Sequence, residues 1–387
     1  MKYKIGIDFT YIKDNNVSGI KKYGEEIVES LLKYSNNYEI ILFVYDYLKE
    51  EYKKKFPNCK IIALKAIFRK IRFLRRIYIY KISRIPKLLI INRAKCDLVI
   101  HPFVDKLTPI ANKNKKKIIG ILDIIPLDII ENKESIKAKR IKKEYIKIMN
   151  RSKHITTLSN YSKNRLRDIN PKYLGKISVI PSTIIKPKDI KKDINEIMLK
   201  SNMHYIFSIN SFYKHKNQIT LLKAFNKIKD EIPHNIVLVG RPELDSGMSG
   251  YPEIMEYIEQ NDLKNRVKVM SFISDEDRNC LFYNTDLFVT TSTQEGFGRT
   301  PVEAAMCSVP VISSQDTSLK EATLGLVNYY ENSKDENELA NKILEVLNNT
   351  PSKEKLDSIA KRLEKEYNEE NIAKKYMNLI DEILKEK

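Results

Sequence analysis

The chain has 387 residues, 42% of them hydrophobic, with 69 Lys+Arg against 50 Asp+Glu and a net charge of +19. That length predicts two domains, each with its own core. No run approaches the ~18 uncharged apolar residues that span a bilayer, and Cys59, Cys96, Cys280 and Cys307 show no C-x-x-C or Cys/His spacing, which argues against a membrane span, a disulfide framework and a zinc finger.

Residues 1–12, MKYKIGIDFTYI, alternate as a strand and lack the apolar core and cleavage site of a signal peptide, so a reduced, cytoplasmic chain is expected. The charge is uneven: residues 1–190 hold 43 Lys+Arg against 18 Asp+Glu, and residues 191–387 hold 26 against 32. The basic half suits an anionic surface or polymer.

Residues 4–9 predict the first strand. A loop bearing Gly19 follows, then a helix with Ile20, Tyr23, Ile27 and Leu31 at helical spacing. Such a loop can meet a phosphate or be an ordinary turn. Residues 38–45 predict a second strand. Residues 65–93 carry ten Lys/Arg and no acid, interleaved with apolar residues. This fits a basic amphipathic helix on an anionic membrane, nucleic-acid phosphates, or a solvated face of a core helix. Further strands are expected at residues 97–100, 117–122, 154–159 and 177–181, alternating with helices, which argues for a parallel, doubly wound α/β sheet. His101 follows one strand and Asp123-Ile-Ile-Pro126 another; a lone histidine such as His101 is more often structural.

Residues 182–202, polar and lysine-rich, read as a linker. The pattern restarts with a strand at 204–209, a loop holding Ser211, Lys214, His215, Lys216 and Asn217, and a helix with Ile219, Leu222, Phe225 and Ile228 on one face. Strands are predicted at 235–240 and 266–273, the latter containing Phe272. Residues 274–277 read formally as D-x-D, but Ser274 opening a helix explains them better as a cap.

Residues 286–314, DLFVTTSTQEGFGRTPVEAAMCSVPVISS, read as strand, glycine-bearing loop, helix and strand. Gly296 and Gly298 permit close backbone approach, and the N–H groups of the helix start near Arg299 and Thr300 favour an anion. Glu295 and Glu303 can each accept hydrogen bonds from paired hydroxyls. Sugar alcohols on either side of a diphosphate describe a nucleotide sugar. With Thr300 as N-cap, however, Glu303 also completes a capping box that needs no ligand.

E-G-F-G, then P-V-E-A, then P-V-I-S resembles the donor-site signature of the retaining GT-B glycosyltransferases of family 4, group 1. The resemblance implies an α/β GT-B fold with two Rossmann-like domains facing a central cleft. Residues 1–185 would be the acceptor side, with a helix at about 370–387 packing back on it, and residues 200–369 the donor side. It places Glu295 on the donor sugar, Glu303 on the ribose and Lys216 on the diphosphate. Glu295, Lys216 and Asp123 become the candidate catalytic residues. Gly296, Phe297, Gly298, Arg299, Thr300, Ser211, Lys214, Asn217, Phe272 and Gly19 complete the donor-binding set. Three positions depart from the family pattern: Leu122 stands where a histidine is usual, Ser211 for an arginine, and Ser308 for a glycine. No metal or other cofactor is expected. The donor would be a nucleoside-diphosphate sugar, and the acceptor a saccharide or lipid-linked one in bacterial surface-polysaccharide synthesis. Peripheral contact with an anionic membrane is expected and nucleic acid is not. The competing readings are a GT-B nucleotide-sugar epimerase and a non-enzymatic nucleic-acid-binding protein.

Overall fold

The computed structural model describes residues 2–12, 19–65, 87–104, 110–111, 115–190, 204–242 and 247–386. The chain divides into two compact units, one of Met1–Thr183 with Glu369–Lys387 and one of Ile184–Asn368.

The first unit is built on a sheet ordered β3-β2-β1-β4-β5-β6-β7. Its strands are β1 (Tyr3–Asp8), β2 (Tyr38–Tyr45), β3 (Lys60–Leu64), β4 (Leu98–His101), β5 (Lys117–Gly120), β6 (His154–Thr157) and β7 (Lys176–Val179). Every pairing is parallel. β2, YEIILFVY, shows why: seven of its eight residues are buried, as in a strand covered on both faces. Helix α1 (Gly19–Tyr34) lies on this sheet with Tyr23, Ile27, Val28 and Leu31 in the core. Other helices of this unit are α2 (Lys49–Lys55), α3 (Ile125–Asp128), α4 (Ile136–Met149) and α5 (Asn160–Ile169).

The second unit repeats this order with one strand fewer, β10-β9-β8-β11-β12-β13, again all parallel. Its strands are β8 (Tyr205–Ile209), β9 (Asn235–Val239), β10 (Val267–Met270), β11 (Leu287–Thr290), β12 (Val311–Ser314) and β13 (Asn328–Tyr330). The helices between and after them are α6 (Gln218–Ile228), α7 (Tyr251–Gln260), α8 (Asp275–Tyr283), α9 (Arg299–Met306), α10 (Leu319–Ala322), α11 (Glu336–Asn348) and α12 (Lys353–Tyr367). The aromatic core beneath β8 is a cluster of Phe207, Phe282 and Phe288 with ring centroids 5.2–5.8 Å apart. Ser274 caps α8 by accepting the Asp277 N–H at 3.0 Å.

Helix α13 (Glu369–Lys385) returns to the first unit. Ile372, Tyr376, Leu379, Ile380 and Ile383 are buried in the core that α1 also fills, each worth about 1.5–3 kcal/mol relative to exposure. Polar ties add register, with the Tyr23 and Tyr376 hydroxyls hydrogen-bonded and Tyr38 donating to Asp381 at 2.7 Å.

Candidate active site

The order of the second sheet reverses between β8 and β11. At such a switch point the two strands send their following chain to opposite faces, opening a crevice past their carboxyl ends. β8 runs into residues 210–217 and β11 into residues 291–298. Threonines zip these loops together. Thr293 donates its N–H and hydroxyl to the His215 carbonyl at 2.8 and 3.1 Å, and Thr291 donates to the Lys216 carbonyl at 3.0 Å.

The zip places Lys216 against Glu295, Nζ to Oε1 at 2.7 Å, with only 12% of each side chain accessible. Asn217 follows in the left-handed region at φ 56°, its amide donating to the Ser333 carbonyl at 2.7 Å and its Oδ1 accepting from Thr220 at 3.0 Å. His215 stacks on Tyr213 with centroids 5.5 Å apart. Burial, and secondarily the Lys216 charge, lowers its pKa to about 4, so the imidazole is neutral at physiological pH.

Helix α9 begins earlier than the sequence signals. Its N-cap is Gly298 at φ 99°, with no side-chain capping bond, so Thr300 is not the cap and Glu303 closes no capping box. The reason is steric. At Gly298 the chain turns through a left-handed conformation, where an added Cβ would meet Leu319 Cδ2 at 2.6 Å. Glu303 therefore sits in the second turn, four residues after Arg299, with 13% of its side chain accessible and Oε1 3.8 Å from Arg299 Nε. With no capping duty, its carboxylate remains available for other partners. Gly296, Phe297 and Gly298 are buried, and Arg299 and Thr300 are half-buried at the helix entrance.

Two hydroxyls that sequence reasoning did not single out hold this loop. Ser318, fully buried, donates to the carbonyls of both Glu295 and Phe297 at 3.0 Å. Thr317 accepts the Glu295 N–H at 3.0 Å. Serine and threonine are too common for either position to stand out in the sequence.

Residues 189–363 match the model of a family described as glycosyl transferases group 1. Most of the chain is similar to an uncharacterized glycosyltransferase of Methanocaldococcus jannaschii, 28% identical over 364 residues, which are 92% of this chain and 94% of that protein. The chain is a glycosyltransferase. An O-antigen chain mannosyltransferase of Salmonella typhimurium is 27% identical over 164 residues, 42% of each protein. The fold is that of sucrose-phosphate synthase from Thermosynechococcus elongatus, TM-score 0.76 at 16% identity over 99% of each chain. It is also that of Anabaena HepE in complex with UDP-glucose, TM-score 0.70 at 16% identity over 98% and 99%. The architecture is therefore GT-B.

The remaining candidates of this glycosyltransferase are placed unequally. Phe297 packs edge-on against Tyr367, centroids 5.3 Å apart, and so anchors the loop from the core side. Ser211 is half-buried and its carbonyl accepts the Tyr213 N–H at 2.8 Å, while Lys214 is exposed. Phe272 lies just past β10, with 77% of its surface exposed.

Gly19 and Asp123 belong to the first unit. Gly19 opens α1, and nothing lies within 4 Å of where its Cβ would stand, so packing does not demand glycine there. Asp123 Oδ1 accepts the Ile125 N–H at 3.1 Å where α3 begins. Leu122, in the place of the family's histidine, is buried in the core. His101 is structural: fully buried, it faces Asp8 Oδ2 through Nδ1 at 2.9 Å and accepts the Ala111 N–H through Nε2 at 3.2 Å. Most of the basic stretch 65–93 lies outside the described residues. At its described end Lys87 is buried and donates to the Tyr45 hydroxyl, so that cation faces the protein.

Proposed function

We propose that this glycosyltransferase takes its sugar from a nucleoside-diphosphate donor and passes it to a saccharide or lipid-linked acceptor with retention of configuration, as a family 4 enzyme. The observation that carries the reading is the pairing of Lys216 with Glu295 and of Arg299 with Glu303 around the amino end of α9. Two cations and open helix N–H groups suit a diphosphate. The two carboxylates suit the hydroxyls on either side of it, Glu303 the ribose and Glu295 the transferred sugar. Exposed Phe272 offers a face for the base. The leaving diphosphate gains negative charge as the glycosidic bond breaks, and Lys216, Arg299 and the helix end are fixed in advance to receive it. No metal is required by this arrangement.

HepE forms a complex with UDP-glucose, and the Salmonella relative is a mannosyltransferase of the O-antigen chain; these two similarities support a nucleotide-sugar donor and a role in surface polysaccharide. Cytoplasmic placement with peripheral contact to an anionic membrane is supported by the basic first half and by α4, whose Lys137, Lys139, Arg140, Lys142, Lys143 and Lys147 face a single acid, Glu144. Among the described residues no helix is long and apolar enough to cross a membrane. Salt-sensitive cosedimentation with phosphatidylglycerol vesicles but not with phosphatidylcholine checks the membrane contact.

The enzymatic reading is tested by incubating the protein with UDP- and GDP-sugars and saccharide acceptors and following the anomeric carbon by NMR. A lengthened acceptor with the donor's configuration is expected. An inverted product removes the retaining mechanism, and free donor isomer without transfer indicates an epimerase.

A further inference from the structure

We infer that His204, His234 and Asp286 form a binding site for a divalent transition metal, zinc above all, at the amino-terminal ends of the central strands of the second sheet, opposite the donor loops. His204 immediately precedes β8, His234 immediately precedes β9, and Asp286 immediately precedes β11. Because β9, β8 and β11 are neighbours in one parallel sheet, their starting ends lie side by side, and each delivers one ligand-bearing side chain to the same place. Residues far apart in sequence converge this way without any spacing motif, so nothing in the sequence pattern marks the cluster.

The geometry is close to that of a bound ion. His204 Nδ1 lies 3.3 Å and His234 Nε2 3.8 Å from Asp286 Oδ2, and one ligand atom from each residue falls within 4.8 Å of the others. Zinc–ligand bonds of about 2.0–2.1 Å at tetrahedral angles put ligand atoms about 3.3 Å apart. Two edges of the triangle are therefore at or near the required length. The third shortens by turning His204, whose side chain is 63% accessible and able to rotate.

The surroundings orient these groups as ligands. Asp286 Oδ2 accepts the Tyr205 N–H at 3.0 Å, which fixes the carboxylate. The His234 main chain is tied to Arg266, whose guanidinium donates to its carbonyl at 2.7 Å. The His234 ring turns Nε2 toward Asp286 and keeps its Nδ1 buried on the side away from the carboxylate, so Nε2 is the nitrogen offered to the ion. Two imidazoles and a carboxylate form an open three-ligand set, leaving one position for water or a partner's side chain. The ion would join the beginnings of three strands of the second unit. It would stabilise that end of the sheet, away from Lys216 and Glu295.

Background binding by other histidines is low. Of the five in the sequence, His101 and His154 are buried against Asp8 and Glu386, and His215 stacks on Tyr213. The test uses the tag-free, full-length chain stripped with chelator. Zn²⁺ is titrated calorimetrically, and Co²⁺ is followed by its visible absorption. One ion per chain is expected, together with a rise of several degrees in melting temperature. His204→Ala should weaken Zn²⁺ by more than about tenfold and abolish the cobalt band. Because His204 is a surface side chain, this variant keeps its fold, as circular dichroism would verify. His234→Gln should behave alike. Uptake of less than one ion per chain, or stoichiometric binding unchanged in His204→Ala, overturns the proposal.

Discussion

In the first sheet the order reverses between β1 and β4, and the residues at those strand ends, Asp8 and His101, are fully buried and face each other at 2.9 Å. Asp8 Oδ1 is taken by the Thr10 N–H and His101 Nε2 by the Ala111 N–H. In the second sheet the reversal lies between β8 and β11, where the loops present Lys216, Glu295, Arg299 and Glu303, all partly accessible. One topology thus gives two equivalent positions and puts them to different uses. At the first, the polar groups satisfy one another, so the position is closed. At the second they are held by side chains and loops that leave them accessible. Topology sets where a ligand can bind, and local hydrogen bonding sets whether anything there can receive it.

Disturbing the closed pair should cost stability and leave chemistry at the other position intact. Asp8→Ala strands the buried His101 imidazole and the Thr10 N–H and should lower unfolding free energy by about 1–3 kcal/mol for each group left without a partner, read by urea denaturation, while UDP or GDP affinity of the folded protein stays at the wild-type value. The converse holds at the open position. Glu295→Gln and Glu303→Ala should each lower kcat/KM by about 10²–10³-fold, or roughly 3–4 kcal/mol, with melting temperature nearly unchanged. Wild-type turnover in both variants would erase the distinction between the two positions.

Acid sharpens the contrast a little further. His215, at the open position, has its pKa lowered to about 4 from 6.5. Its unfolded form therefore binds a proton first as pH falls. The stability it contributes is complete above pH 6.5 and is lost toward pH 4, at about 1.4 kcal/mol per pH unit within that window. His215→Phe keeps the stacking on Tyr213 and should flatten the slope of stability against pH by that amount.

Strongly patterned elements were legible in the sequence. The runs YEIILFVY and NIVLV could hardly be anything but buried strands, and the apolar spacing of residues 372–383 marked the last helix. β3, KIIAL, and β13, NYY, were not anticipated. The first abuts the long basic stretch, and the second is a three-residue edge strand with little apolar pattern. At the candidate site, the loop and its carboxylates could be read from residue types. The helix start could not, because Gly298 reaches a conformation closed to threonine and shifts the cap by two residues. Nor could the bracing by Ser318, which depends on a contact across the loop. The departure at Ser308 acquires a physical meaning: its φ is 60°, a conformation costly for any residue with a Cβ. Ser308→Gly should raise unfolding free energy by about 0.5–1 kcal/mol in urea melts without altering kcat.

The central claim is that the β8–β11 end of the second unit holds the donor's nucleoside diphosphate, and a crystal structure with UDP-glucose or GDP-mannose bound tests it most directly. The account predicts the ribose hydroxyls on Glu303, the diphosphate on Lys216, Arg299 and the amino end of α9, and the hexose beside Glu295. Density for the nucleotide at any other place, with Glu303 and Lys216 untouched, would contradict it.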